Sequence, residues 1–330
     1  MIRIALDVMG GDNAPDANLG GALDALSRSE DIFVQLVGQK NVIDAWLRDK
    51  TYDDKRIQVI DAPEVIETGE HPVTAIQKKK NSSMVIGLRM LHDGESDAFV
   101  SAGSTGALLV GGQTIAGRLP GIKRAPLAVQ LPTTKGKSLL VDCGANVDAR
   151  PEMLVQFAIM GSLYARHLMG IENPTVGLVN IGTEEEKGNE LTRAAYPLLK
   201  DCDKIRFIGN AEARDIPQGT ADVLVCEAFT GNVILKMYEG VARTLLSQVK
   251  SSLMQSLRGK IGGLLIKPSL KGLVSTFSSK EDGGAPLLGL RGLVIKAHGN
   301  STEVQMRNAL LECEKFYNSG LKERIQDAFT

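Results

Sequence analysis

Short apolar runs alternate with longer amphipathic ones along the whole chain. The runs IRIALDV (2–8), IFVQLVG (32–38), RIQVIDA (56–62), DAFVSAG (97–103), SLLVDCG (138–144), TVGLVNIG (175–182), KIRFIGN (204–210), DVLVCEA (222–228) and LVIKAHG (293–299) predict strands. Most are continuous β-branched or apolar stretches, the pattern of strands covered on both faces of a mainly parallel sheet. Segments of helical period lie between them, at 17–28, 152–169, 189–200, 233–257 and 302–317. This alternation predicts a layered α/β fold. No Pro/Ser-rich linker interrupts it, so residues 1–330 are expected to form one domain.

The segments that follow the strands are MGGDN, SAGSTGA, CGANVD, NIGTEEEKGN, FTGNV and HGNS. In a parallel sheet they emerge together at the carboxyl edge, where open α/β sheets bind ligands. Glycine lets backbone amides approach a ligand, and Ser, Thr and Asn add short donors. Several of these loops open directly onto a helix, whose first N–H groups face an anion. One such turn is ordinary β–α chemistry; a set of them at one edge predicts an anion-binding cleft.

Composition narrows the function classes. A formal net charge of −1 argues against bulk electrostatic binding of nucleic acid. The four cysteines, at 143, 202, 226 and 313, form no CxxC and read as reduced thiols. The N-terminus enters a strand at once without a basic and then apolar leader, and no run approaches a membrane span. A cytoplasmic protein is expected.

Several chemistries have no visible home. There is no GxxxxGK[ST], no GxGxxG, no GxSxG elbow, and His71, His92, His167 and His298 are isolated rather than paired for a metal. A cleft rich in phosphate donors but lacking a nucleotide motif and a protein nucleophile suits phosphate itself as the reactant. The enzyme then has mainly to hold phosphate in line with an electrophile and to stabilise developing negative charge.

Taken in order, DVMGGDNAP (7–15), SAGSTGALL (101–109), DCGAN (142–146), NIGTEEEKGNEL (180–191), FIGNAE (207–212), CEAFTGNVILK (226–236) and GGAPLLGLRGLVIKAHGNS (283–301) resemble the PlsX family of bacterial phosphate acyltransferases. The resemblance covers nearly the whole chain. It implies a three-layer αβα Rossmann-like fold of the isopropylmalate-dehydrogenase type, a homodimer, no metal and no organic cofactor. It also implies the reaction of long-chain acyl-acyl carrier protein with inorganic phosphate to give acyl phosphate. That product feeds a membrane glycerol-phosphate acyltransferase on the route to phosphatidic acid, with peripheral contact at the inner membrane face. The chain departs from the family pattern at Asn13 (usually His), Ser104 (usually Asn) and Glu227-Ala228 (usually Asp-Gly), and the residues alone assign no role to Asn13 or Glu227.

The resemblance gives the loop residues roles. Lys187 is the expected catalytic cation, neutralising phosphate or the thioester oxyanion; the alternative is a surface lysine paired with Glu184–Glu186. Asn232 is the second expected catalytic group, donating to the carbonyl oxygen or simply capping a helix. Ser101, Gly103, Ser104, Thr105 and Gly106 would cradle phosphate, together with Gly10 and Gly11 of the first loop. Asp12 either orients Lys187 or a backbone amide, or caps the next helix. Asn146, Asn180 and Gly182 are expected to line the site, as are Gly188, Asn189, Thr230 and Gly231. His298 hydrogen-bonds phosphate, helps protonate the leaving thiolate, or is structural.

Between Glu239 and Glu281 there is no acidic residue, while Arg243, Lys250, Arg258, Lys260, Lys267, Lys271 and Lys280 give a local +7. Leu253, Leu257, Ile261 and Leu264 fall near one helical face. A basic amphipathic hairpin over 240–280 is therefore expected to meet anionic lipid, an acidic carrier protein or a dimer partner. Three competing functions stay open at this stage. They are a phosphotransacetylase using coenzyme A and a short acyl group, an NAD-dependent decarboxylating dehydrogenase on the same fold, and a non-catalytic membrane scaffold. The dehydrogenase lacks convincing Asp ligands for Mg²⁺.

Overall fold

Strand propensity and burial coincide from the first residues. In β1 (Ile2–Asp7) all side chains but Arg3 are buried, and the chain then turns into α1 (Asp16–Arg28) and back through β2 (Ile32–Gly38). The computed structural model describes residues 1–256, 258–266 and 283–330. The succeeding elements are α2 (Lys40–Leu47), β3 (Ile57–Asp61), α3 (Pro72–Lys78), α4 (Ser83–His92), β4 (Ala98–Ser101) and α5 (Thr105–Gly111). There follow β5 (Ala128–Thr133), β6 (Gly136–Val141), α6 (Pro151–Leu168), β7 (Thr175–Asn180), α7 (Glu190–Lys200), β8 (Arg206–Glu212), β9 (Val223–Val225) and α8 (Ala228–Met254). The chain ends with β10 (Ala285–Leu287), β11 (Leu293–Lys296), α9 (Glu303–Asn318) and α10 (Leu321–Phe329).

All nine predicted runs contain a strand. They do not form one sheet. A six-stranded sheet has the order β10-β11-β4-β1-β2-β3 and a five-stranded sheet the order β5-β6-β9-β7-β8. Every pairing among the nine is parallel; the two antiparallel pairings bring in β5 and β10, which lay outside the predicted runs. These two strands join the sheets, through a bridge between Leu127 and Leu287 and the bond from Leu288 N to Pro126 O at 3.0 Å. Both hydrophobic clusters draw on both sheets: Ile4, Val34, Val141 and Val223 in one, Phe99, Leu131, Leu224 and Val294 in the other.

The predicted six-loop edge is accordingly two edges. The loops after β1, β4 and β11 cluster at the first sheet, and those after β6, β7 and β9 at the second. The α8 helix starts at the second cluster and runs far beyond it, with only Ala228 and Gly231 buried along its length. Residues 258–266 are helical and turn back, so that Leu253 lies beside Gly263. Leu253 is half-buried there, while Ile261 and Leu264 are exposed. Leu257 and the rest of the expected basic segment, 267–280, lie outside the described residues. Among the described residues no helix is long and apolar enough to cross a membrane. Cys143, Cys226 and Cys313 are buried, Cys202 is partly so, and all four are free thiols.

Candidate active site

At the first sheet, the end of β1 delivers a carboxylate into the interior. Asp7 accepts from the Ser83 hydroxyl at 2.6 Å and from the Ser101 hydroxyl at 2.7 Å. Burial pushes its pKa above the usual carboxylate range, against these bonds and those from the Met9 and Gly10 amides. Ser101 also accepts from Gly103 N at 3.0 Å, so its hydroxyl shapes the turn rather than facing solvent. Ser104 caps α5, accepting from Ala107 N, and Gly106 is packed beside Pro72. Of the expected phosphate cradle in this turn, Thr105 alone lies exposed on a cavity wall. The buried Asn18 amide donates to the carbonyls of Asp7, Val8 and Gly10 and fixes the first loop.

Asn13 joins two loops. Its amide donates to the carbonyls of Asn300 and Ser301, both at 3.1 Å, tying the first loop to the loop after β11. Asp12 makes the neighbouring tie, Asp12 N to Gly299 O at 2.7 Å. Asp12 is not the cap of α1, where Pro15 holds the N-cap position without a side-chain bond. Its carboxylate acts electrostatically on Lys296 instead.

At the second sheet, Asp142 is the organising acid. It accepts from the amides of Leu127, Gly144, Ala145 and Asn146 and from the Asn146 side chain at 2.7 Å. Asn146, expected to line the site, is buried, and its amide group also donates to Ala125 O at 2.9 Å. Asn180 is likewise buried; it donates to Asn210 Oδ1 and to Lys187 O, both at 3.0 Å. Both asparagines thus shape loops.

The Lys-Gly-Asn loop separates into parts with distinct work. Asn189 caps α7, accepting from Thr192 N at 2.9 Å. Gly188 has φ +102°, and a Cβ there would sit 2.1 Å from Thr192 Oγ1 and 2.4 Å from Asn180 Oδ1. Only glycine fits. Gly182 lies under the aliphatic part of Lys187. The Lys187 ammonium is exposed, and among the described residues it makes no ion pair; Glu185 pairs with Lys200 at 2.7 Å. The surface-pair alternative for Lys187 is therefore not realised.

Glu227 is the N-cap of α8, accepting from Thr230 N at 2.8 Å and from the Thr230 hydroxyl. Asn232, considered as a possible cap, instead sits inside the helix and exposed. Gly231 lets α8 start against the backbone of Asp142.

Between the two sheets, beside β5 and β10, is a cavity of about 930 Å³. Its lining includes Thr105, Asn232, Lys236, Glu239, Lys296 and His298. Lys236 lies 3.3 Å from Glu239, whose other oxygen lies 3.8 Å from His298 Nε2. The rest of the wall mixes apolar residues, among them Leu127, Leu131, Leu168, Leu235, Tyr238 and Leu311, with the polar Gln130, Lys137, Arg307, Asn308, Glu312 and Lys315. Asn232, Thr105 and His298 are thus brought together. Lys187 is not among the lining residues.

Lys296, Lys236 and Asp7 were missed from sequence. A signal existed for two of them, because a charged residue inside an apolar strand run, as in IRIALDV and LVIKAHG, needs a reason. Nothing marked Lys236 on a helix face with other lysines to follow.

The fold is similar to the EutD phosphotransacetylase from Staphylococcus aureus, with TM-score 0.59 and 15% identity over 96% of this chain and 94% of that one. It is similar to a branched-chain phosphotransacylase from Enterococcus faecalis V583, with TM-score 0.58 and 12% identity over 96% and 98%. At these identities the likeness establishes a Rossmann-like α/β fold and no more. Sequence then narrows it. A family described as "Fatty acid synthesis protein" matches residues 2–324. The "Phosphate acyltransferase" of Clostridium botulinum (strain Loch Maree / Type A3) is 48% identical over 324 residues, 98% of this chain and 96% of that protein. The "Putative phosphate acyltransferase" of Clostridium perfringens (strain 13 / Type A) is 46% identical over 329 residues, 100% of this chain and 97% of that protein. The chain belongs to this fatty acid synthesis protein family, the PlsX-type phosphate acyltransferases, and its chemistry is acyl transfer to phosphate.

Proposed function

We propose that the acyl donor is a long-chain acyl-acyl carrier protein and that phosphate attacks the thioester directly. The observation that carries this reading is the cavity itself. Lys236, Lys296 and the Asn232 amide share the wall with Leu127, Leu131, Leu168, Leu235 and Leu311, in a volume of about 930 Å³ that exceeds the needs of an acetyl group. In the reaction an oxygen of HPO₄²⁻ forms the new C–O bond and the C–S bond breaks. The electron pair leaves on sulfur, and the proton of phosphate ends on the departing thiol. A thiol of ordinary pKa, roughly 8.5, leaves without strong acid assistance.

Asn232 is the amide that meets the carbonyl oxygen at the cavity. Lys187 supplies positive charge to the same oxyanion, and among the described residues no ion pair competes for it. Because the cavity wall does not include Lys187, its contact with the thioester requires closure of loop 181–189 or delivery by a second copy. The test of the reaction is thiol release from palmitoyl-acyl carrier protein with and without phosphate, trapping acyl phosphate as a hydroxamate. Release without phosphate dependence rejects the mechanism, and activity on acetyl-coenzyme A alone favours a phosphotransacetylase. Absence of acyl-phosphate formation from either donor favours a scaffold.

The whole chain acts in this reading as one catalytic unit that works as a homodimer. Support comes from α8, where Phe229, Val233, Met237, Val241, Leu245 and Val249 are all exposed at four-residue spacing. Such a ridge is what one helix offers another for packing. Light scattering should give a dimer mass, reduced to monomer by Val241→Glu with Leu245→Glu. A monomeric parent protein refutes the assembly.

Beyond α8, the exposed Ile261, Leu264 and Leu265 with Arg258 and Lys260 suit peripheral contact with an anionic membrane. Each such basic residue contributes roughly 1 kcal/mol near an anionic surface. Ile261→Glu with Leu264→Glu should abolish flotation with anionic liposomes; unchanged flotation of the folded dimer removes this surface from consideration.

A further inference from the structure

Lys296 is the last residue of β11, in register with Ser101 of β4 and flanked along the strand by the buried Val294 and Ile295. It is only 9% exposed. An ammonium in such a place is costly unless its donors are used. Of its three N–H donors, one is directed to the carbonyl of Ala297. Among the described residues it forms no contact ion pair. Asp7 is engaged by two serine hydroxyls, and Glu239, on the same cavity wall, lies by Lys236 and His298. Asp7 and Asp12 favour its charge from a distance, whereas Lys236 opposes it.

Lys296 also lines the cavity, as do Thr105, Asn232 and Lys236, and it is close enough to Lys236 to feel its charge. A buried cation with unused donors, with Lys236 nearby on the same wall and already balanced by Glu239 at 3.3 Å, leaves a place for a small anion at Lys296. A charge-assisted contact there is stronger than one on the surface. We propose that Lys296 binds the attacking phosphate, pairing directly with the dianion beside Thr105 and Lys236. The thioester oxygen is left to Asn232 and Lys187. The assignment rests on the acyl-phosphate reading for the identity of the anion. Lys296 neither gives nor takes a proton in the step; it holds the nucleophile.

The charge on Lys296 then sets an upper pH limit. Burial lowers its pKa to about 8, with Asp7 and Asp12 partly opposing the fall. The protonated form binds phosphate, so affinity is lost as pH rises through this value. Above it the phosphate KM should rise by about tenfold per pH unit. Arginine at this position stays charged throughout the range.

The experiment is titration of the full chain with inorganic phosphate, followed by ³¹P NMR line broadening, together with KM values for phosphate and for palmitoyl-acyl carrier protein. Lys296→Met should weaken phosphate binding by roughly 10–100-fold, the loss of one charge-assisted contact, with the acyl-donor KM within twofold. Lys296→Arg should retain most of the binding and lose the upper pH limb. Phosphate binding unchanged in a folded Lys296→Met protein overturns the proposal. If that variant does not fold, a wild-type phosphate affinity that stays flat from below to well above pH 8 overturns it equally. A wild-type protein that binds phosphate through Lys296 yet makes no acyl phosphate refutes the reaction and leaves the anion site standing.

Discussion

Lys187→Ala should lower kcat by roughly 10²–10³, the usual loss on removing one preorganised oxyanion donor. The structural reason is the division of labour within its loop. Gly188 and Asn189 are fixed by crowding and by capping, and Asn180 holds the Lys187 carbonyl. The lysine side chain is the part of the motif that the fold does not use. Its removal should leave stability almost unchanged, because an exposed side chain without an ion pair contributes little. Phosphate KM should change far less than kcat if Lys296 holds the phosphate. Steady-state kinetics with both substrates varied, together with urea denaturation of the same samples, separates these effects. A folded Lys187→Ala protein with kcat within threefold of wild type would end the catalytic assignment.

Gly231→Ala should be among the most damaging single-methyl additions in the chain. The added Cβ would stand 1.8 Å from the backbone oxygen of Asp142 and 3.1 Å from Cys226 Sγ. A backbone atom cannot rotate away as a side chain can, so either α8 or the loop after β6 must move. That loop is held by the bonds to Asp142, and α8 carries Asn232, Lys236 and Glu239 to the cavity. A loss of about 3 kcal/mol or more is expected, at the upper end for overpacking, with activity falling in parallel. Gly240→Ala in the same helix is the control, since a Cβ there meets nothing within 4 Å among the described residues. It should be neutral or stabilising by about 0.5–1 kcal/mol, the ordinary helix-propensity gain. Equal chemical-denaturation midpoints for the two variants would show that the close approach is not tight in solution.

Much of this protein is determined by local pattern. Continuous apolar runs such as TVGLVN and SLLV can be satisfied only when both faces are covered, so the parallel strands were legible as strands. The glycine-rich loops after them marked the carboxyl edges for the same reason, since close backbone approaches require glycine wherever they occur. The ordered motifs also carried the family. Tertiary structure decided what those patterns are for. β5 (AVQLPT) contains Pro132 and neither alternates strictly nor runs continuously apolar, and β10 is three residues long; neither has a one-dimensional signature, yet together they split the strands into two sheets and form the seam holding the cavity. A Ser, Asn or Asp in a loop reads the same whether it faces a ligand or satisfies a buried amide. Ser101, Asn146 and Asn180 turned inward, while Thr105 and Asn232 stayed exposed. Lys296 was visible as a charge within a strand, but its burial, its unused donors and its place on the cavity wall arise from chain segments far apart in sequence. Hydrogen-bond satisfaction and burial are properties of the packed chain, so only the fold could separate the residues that build the loops from those left facing the cavity.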